Sequence, residues 1–143
     1  MGFLISDVAR LMRRRFDDRA RAIGVTRAQW RTLVTLKRNE GCNQGQLADL
    51  LEVEPITLCR MIDRLEDAGL VERRPDPADR RAKRVYLTER SHPLLDQIRQ
   101  IADALTEEAG AGIDPADRER IMAGLARIRT NLNAGEFEEA ANG

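Results

Sequence analysis

Aromatic side chains are scarce in this chain: one tryptophan, one tyrosine and three phenylalanines make up 3% of its 143 residues. Proteins that hold single-stranded nucleic acid need rings on which bases stack, so the composition argues against that class. Cysteine is sparse too. Cys42 and Cys59 form no CxxC pair and His92 is the single histidine, which leaves no metal site or disulfide framework to assemble and fits a reducing compartment. No stretch approaches the roughly 18 uninterrupted apolar residues of a spanning helix. The opening MGFLISDVARLMRRRFDD meets acid and arginine too early for a secretory signal, so the expectation is a cytoplasmic protein with no membrane partner. A glycine-rich phosphate loop is missing, and His92 has no nucleophile or carboxylate constellation around it; neither a cofactor nor an enzymatic activity is expected.

What the chain does have is charge, unevenly placed. Basic and acidic residues number 24 each, for a formal net charge of zero. Yet residues 1–40 carry ten basic and four acidic side chains, residues 73–84 carry six and two, and residues 99–143 carry five and nine. Phosphate binding depends on the local patch, so a neutral total does not exclude a polyanionic partner. With 42% hydrophobic residues the chain is too apolar to be disordered. A domain of this length buries roughly 68% of the surface of its unfolded chain, enough for one self-sufficient core.

Hydrophobic spacing predicts the elements. Leu4, Val8, Leu11, Met12, Phe16, Ala20 and Ile23 recur at helical steps up to Gly24. Thr26 is the expected N-cap of a second helix carrying Trp30, Leu33, Val34 and Leu36, and Asn43 that of a short third helix with Leu47, Ala48, Leu50 and Leu51. Pro55 suits the first turn of a fourth, in which Ile56, Cys59, Ile62 and Leu65 keep a helical period and Gly69 ends it. LVERR and KRVYLT alternate apolar and charged residues around PDPADR, the pattern of a β-hairpin with a long basic tip. Thr88 is read as the cap of a fifth helix with Leu94, Leu95, Ile98, Ile101 and Leu105. After a break at Gly110 to Gly112, Asp114 and Pro115 start a sixth with Ile121, Leu125, Ile128 and Leu132 on one face.

Two short helices in tight succession, the second followed at once by a basic hairpin, predict a winged helix-turn-helix in a mainly α fold. Its second helix is slim enough for a major groove. Thr57 there can donate, accept and touch a thymine methyl, and Arg60 can reach guanine or phosphate. The hairpin carries Arg73, Arg74, Arg80, Arg81, Lys83 and Arg84 against Asp76 and Asp79, so its tip is expected to remain free of internal neutralisation and to meet phosphates.

The segments VTRAQWRTLVTL, QLADLLEVEPITLCRMIDRLEDAGLVERR and DPADRRAKRVYLT, with the PLL that follows, resemble the MarR family of bacterial transcription regulators, and within it the SlyA-like members. The resemblance implies a homodimer formed by a helical region over residues 1–24 and 90–135, a DNA-binding winged helix over 25–89, and a flexible tail over 136–143. It implies a repressor on a pseudo-palindromic double-stranded operator. Ile56, Thr57, Arg60 and Met61 are then expected at the groove, Asn43 and Gln44 near the backbone, and Arg80 and Lys83 at the wing. Asp63, Arg73 and Arg81 are expected to form internal ion pairs holding the wing on the recognition helix.

The resemblance further implies an effector pocket for a small aromatic carboxylate or its coenzyme A thioester. Trp30 is the lone tryptophan, and Arg10 and Arg13, one turn apart on the first helix, can supply cations. Core packing is the plainer role for Trp30. An alternative switch is oxidation of Cys42 or Cys59, although the first helix, where family members that sense peroxide carry their reactive thiol, has no cysteine.

Overall fold

A computed structural model describes residues 1–134 with their side chains and follows the last helix to Asn142. Of the flexible tail expected over 136–143, residues 136–142 continue the last helix and Gly143 lies outside the described residues. The elements run α1 (Gly2–Ala22), α2 (Arg27–Arg38), α3 (Gln44–Leu51), α4 (Pro55–Asp67), β1 (Val71–Pro75), β2 (Lys83–Leu87), α5 (Ser91–Ala109) and α6 (Pro115–Asn142). This is the expected mainly α fold with a two-stranded antiparallel hairpin. Residues 1–105 form one compact unit and residues from Thr106 onward a second. Among the described residues no helix is long and apolar enough to cross a membrane.

Local chemistry sets the starts of α2 and α3. The Thr26 hydroxyl accepts from the Gln29 N–H at 3.3 Å while the Gln29 side chain accepts from the Thr26 N–H at 2.9 Å. Asn43 and Gln46 repeat the exchange at 2.8 and 3.1 Å. Each reciprocal pair satisfies two amides that the first turn leaves without helical partners. α4 begins differently, with Pro55 in its first turn and no side-chain cap. The turn between α3 and α4 passes through Glu52 at φ 54°, a left-handed conformation that costs a side-chain-bearing residue about 1–2 kcal/mol and persists because both flanking helices are anchored in the core. α4 ends where Gly69 takes φ 74° and the Leu70 N–H turns back to the Leu65 carbonyl at 2.9 Å.

The hairpin pairs Val71 with Leu87 and Arg73 with Val85. The linker between α2 and α3 adds a short rung to it. The Gly41 N–H donates to the Val85 carbonyl and the Val85 N–H to the Cys42 carbonyl, both at 3.0 Å, and Asn43 bridges Arg84. Gly41, at φ 81°, lets the linker pass this close, since a Cβ there would stand 3.2 Å from the Tyr86 ring.

Thr88 does not cap α5, which starts three residues later at Ser91. Its hydroxyl donates instead to the Gly69 carbonyl at 2.6 Å, and the Ser91 hydroxyl donates to the Thr88 carbonyl at 2.6 Å. Thr88 thus ties the exit of the hairpin to the exit of α4, a tertiary bond that no local pattern announces.

One core joins these elements: Leu33 and Leu36 of α2, Leu47 and Leu51 of α3, Leu58, Ile62 and Leu65 of α4, Val71, Val85 and Leu87 of the hairpin, and Leu95 and Ile98 of α5. The buried stripe of α4 is therefore Leu58, Ile62 and Leu65, rotated from the expected Ile56–Cys59–Ile62–Leu65 line. Ile56 is 63% exposed, and Cys59 is half-buried at the edge of the stripe. In the second unit, Arg118 pairs with Glu107 at 3.2 Å and donates to the Gly110 carbonyl at 2.6 Å, and Asp114 caps the start of α6 through the Ala116 N–H at 2.9 Å.

The two faces of α4 should respond differently to truncation. Leu58→Ala, opening a cavity beneath a fully buried side chain, is expected to lower stability by about 2–5 kcal/mol in urea unfolding. Ile56→Ala should change it by no more than about 0.5 kcal/mol.

Candidate nucleic-acid interface

α4 presents Ile56, Thr57 and Arg60 to solvent, one helical turn that is exposed opposite the Leu58–Ile62–Leu65 stripe. Arg60 makes no ion pair among the described residues. Met61 is only half-exposed; it lies with Thr26, Ala28, Gln29, Arg64 and Leu65 around a small cavity of about 80 Å³ beside the start of α2.

Arg73 clasps the hairpin to this helix. Its guanidinium meets Asp63 at 2.6 Å and Glu66 at 3.1 Å, donates to the Gln44 side-chain oxygen at 2.5 Å, and reaches the Cys59 carbonyl at 3.1 Å. Its own N–H donates to Glu66 at 3.0 Å. Burial alone would lower the Arg73 pKa, but the Asp63 hydrogen bond and the charges of Asp63 and Glu66 outweigh it and raise it. A planar fork with five donors can serve α3 and α4 at once, which an ammonium cannot.

The expectation of a tip free of internal neutralisation is corrected by the hairpin's own carboxylates. Arg84 pairs with the buried Asp76 at 3.2 Å, and Arg74 pairs with Glu72 while lying 4.1 Å over the Tyr86 ring. With Arg73 taken by Asp63 and Glu66, three of the six hairpin cations have carboxylate partners within the chain. Arg80, Arg81 and Lys83 remain exposed and without an ion pair among the described residues. Arg81 was expected in the internal set, and the structure does not put it there. Its N–H is held by Asp79 at 2.9 Å in the turn, which leaves the side chain at the tip, while Arg73 occupies the carboxylates of α4. Gln44 and Asn43 are half-buried, and their side-chain oxygens are engaged, by Arg73 and by the cap of α3 respectively.

Asp76 sits where the Ala78 N–H, at 2.9 Å, and the Arg84 guanidinium converge on its carboxylate; together they hold its pKa below the ordinary value. Asp17 is similar. Burial pushes its carboxyl up, but hydrogen bonds from Arg27 and Trp30 more than offset this and lower it.

A second cleft, of about 360 Å³, is lined by Arg13, Arg27, Trp30 and Arg31. It brings together Arg13 and Trp30 of the expected effector residues. Arg10 is not among its lining residues; that side chain turns to Asp7, three residues earlier on its own helix, at 3.4 Å. Arg27 and Arg31 were not singled out, although both lie on the helical turn of Trp30. Trp30 packs on Phe16, with ring centroids 4.4 Å apart. Neither cysteine is in a disulfide; burial raises the Cys42 thiol, which disfavours its reactive thiolate.

The comparisons with known proteins point one way. A model of the MarR family matches residues 25–83. A MarR transcriptional regulator from Methanosarcina mazei Go1 is 32% identical, with 91% of this chain and 94% of that one covered and a TM-score of 0.78. Wild-type MarR of E. coli in its apo form is 26% identical over 90% of this chain and 95% of its own, with a TM-score of 0.82. A mutant of E. coli MarR complexed with operator DNA is 26% identical over 89% and 91%, with a TM-score of 0.72.

Removing the clasp should be felt beyond the loss of one charge. Arg73→Ala is expected to cost about 1–3 kcal/mol in urea unfolding, because Gln44 and two carboxylates lose their donor, and Arg73→Lys should recover less than half of it. Acid should act through Asp17 and Asp76. Their folded pKa values lie below the unfolded ones, so the stability they contribute is fully present above the ordinary carboxylate pKa of about 3.9 and is lost as pH falls from there through the folded values. Asp76→Asn should flatten the acid limb of a stability profile measured between about pH 6 and 2.5, the span over which such carboxylates take up protons.

Proposed function

We propose, from the premise that this chain belongs to the MarR family of transcriptional regulators, that it is a homodimeric, sequence-specific DNA-binding repressor released from its operator by a small aromatic acid or the coenzyme A thioester of one. The observation that carries the DNA reading is a division of labour among cations. Arg73, Arg74 and Arg84 each have a carboxylate partner within the chain, while Arg80, Arg81 and Lys83 on the hairpin and Arg60 on α4 are exposed with no ion-pair partner among the described residues. Unpaired guanidinium and ammonium groups on a clasped helix and hairpin suit a duplex, whose phosphates supply the missing anions.

In this reading Ile56, Thr57 and Arg60 address base edges, with Met61 at their margin. Arg80 and Lys83 contact phosphates, as do the side-chain amide nitrogens of Asn43 and Gln44. The uncapped start of α4 adds free N–H groups suited to a phosphate. Residues 25–89 form the DNA-binding region, and residues 1–24 with 90–135 the dimerisation region. The second copy would cover apolar side chains that are exposed on the terminal helices, among them Phe3, Leu4, Val8 and Leu11 on α1 and Ile121, Met122 and Leu125 on α6. Two copies related by a dyad call for half-sites about one helical turn apart, roughly 34 Å.

Arg13 and Trp30 mark the effector cleft. An effector releases DNA only through a difference in affinity between two arrangements of the dimer, and a tenfold loss of DNA affinity needs about 1.4 kcal/mol of such preference. The alternative switch is oxidation at Cys59, whose Sγ lies 3.7 Å from the clasping guanidinium of Arg73. Peroxide-induced release retained after both cysteines are changed to serine would remove it.

Gel shifts over a salt series test the DNA proposal. Arg80→Ala and Lys83→Ala should each reduce the slope of log affinity against log salt by about 1 and weaken all sequences alike. Thr57→Ala should leave the slope unchanged and relax the preference at one operator position. Binding that ignores sequence, or that does not weaken with salt, would defeat the proposal.

A further inference from the structure

The cleft lined by Arg13, Arg27, Trp30 and Arg31 borders a carboxylate of the chain's own. Asp17 of α1 is only 15% exposed, and both of its oxygens are engaged by α2. One accepts from Arg27 Nε at 2.8 Å and lies 2.6 Å from the terminal nitrogen of the same guanidinium; the other accepts from the indole N–H of Trp30 at 2.9 Å. A guanidinium fork with a further N–H gives this one carboxylate three donors. Arg13 and Arg31 line the same cleft, are exposed, and have no ion pair among the described residues. Three arginines therefore line a cleft that borders one resident anion, only Arg27 of them is paired with it, and the cleft has positive charge to spare.

We propose that Asp17 is a built-in competitor of the effector: a small organic anion enters the cleft by displacing the Asp17 carboxylate from Arg27 and Trp30, and in doing so loosens α1 from α2. The proposal rests on the reading of this cleft as the effector site and adds how the site is gated. Exchanging one carboxylate for another keeps the number of hydrogen bonds at Arg27 and Trp30 constant. Arg13 and Arg31 supply the bias toward the incoming anion, because they face it and leave Asp17 unaided. Arg27 is 52% exposed, so its guanidinium can be approached from solvent while Asp17 still holds it.

The exchange falls at a joint. Asp17 and Phe16 are the side chains through which α1 meets Arg27 and Trp30, and α2 continues directly into Leu33 and Leu36 of the core that carries α3 and α4. Releasing Asp17 unlatches the first helix from the base of the winged helix without touching α4. An anion in this cleft thus gains a route to DNA affinity that needs no contact with the groove-facing residues.

Trp30 is the only tryptophan, so its indole N–H gives a single resonance in the full-length protein, which can be followed as benzoate is added. The expected result is a saturable shift of that resonance, benzoate binding about tenfold tighter to Asp17→Asn, within the usual range of such couplings, and weaker binding to Arg13→Ala. Asparagine keeps the shape and an acceptor for the indole, so the variant should fold. Should it not, the wild-type titration decides alone, because benzoate that binds through Arg13 while the indole resonance stays in place rules out the exchange. Benzoate binding that needs Arg13 but is no tighter in Asp17→Asn overturns the competitor role and leaves the cleft as the effector site. No saturable binding to any variant, or an equal shift with chloride at matched ionic strength, overturns both.

Discussion

A single guanidinium clasps the hairpin of this protein to two of its helices. Arg73 stands on a strand, yet its partners lie on α3 and α4, so a rigid fork adds direction to the apolar contact between hairpin and helix. The hydrophobic core below could tolerate small rotations of the hairpin, since burial is non-directional. An ionic clasp with several partners cannot, because its hydrogen bonds weaken steeply with angle. The precision with which the hairpin and α4 are presented together therefore comes from polar chemistry laid over an apolar foundation.

Such a clasp explains how a basic hairpin avoids becoming a disordered cluster of like charges. Asp76, Glu72, Asp63 and Glu66 neutralise the arginines nearest the body of the molecule, and positive charge increases toward the tip. The gradient has a chemical logic. Cations that stay inside shape the hairpin, and cations that stay outside are left for an anion from elsewhere. In solvent-exposed pairs the stabilisation is modest, so the value of Glu72 on Arg74 lies more in placing the guanidinium over Tyr86 than in energy.

Much of the fold could be read in advance because its signals are local. Thr26, Asn43, Pro55, Gly69 and Asp114 each act within one helical turn, and each stands at the boundary where it was expected. Thr88 was misjudged since its partner, Gly69, is nineteen residues away. The stripe on α4 came out rotated because apolar residues occupy both 56–59 and 58–62 spacings, and only contact with α2 and α3 selects between them. The same limit applies to the candidate site. Exposure of Thr57 and Arg60 follows from helical periodicity. The pairing of Arg84 with Asp76, the role of Gln44 and the capture of Trp30 by Asp17 depend on distances that periodicity does not encode. Arg80 and Arg81 are adjacent arginines in one turn, and nothing in their order tells that neither is paired inside.

The residues that face outward, Ile56, Thr57, Arg60, Arg80 and Lys83, are absent from the core and from the ion pairs that hold the hairpin among the described residues. Drift at these positions is thus nearly neutral for folding. On the proposed DNA reading, lineages can explore new operators by changing a few surface codons while the scaffold stays under separate, stricter selection, which is the circumstance in which gene duplication yields paralogues with distinct regulons.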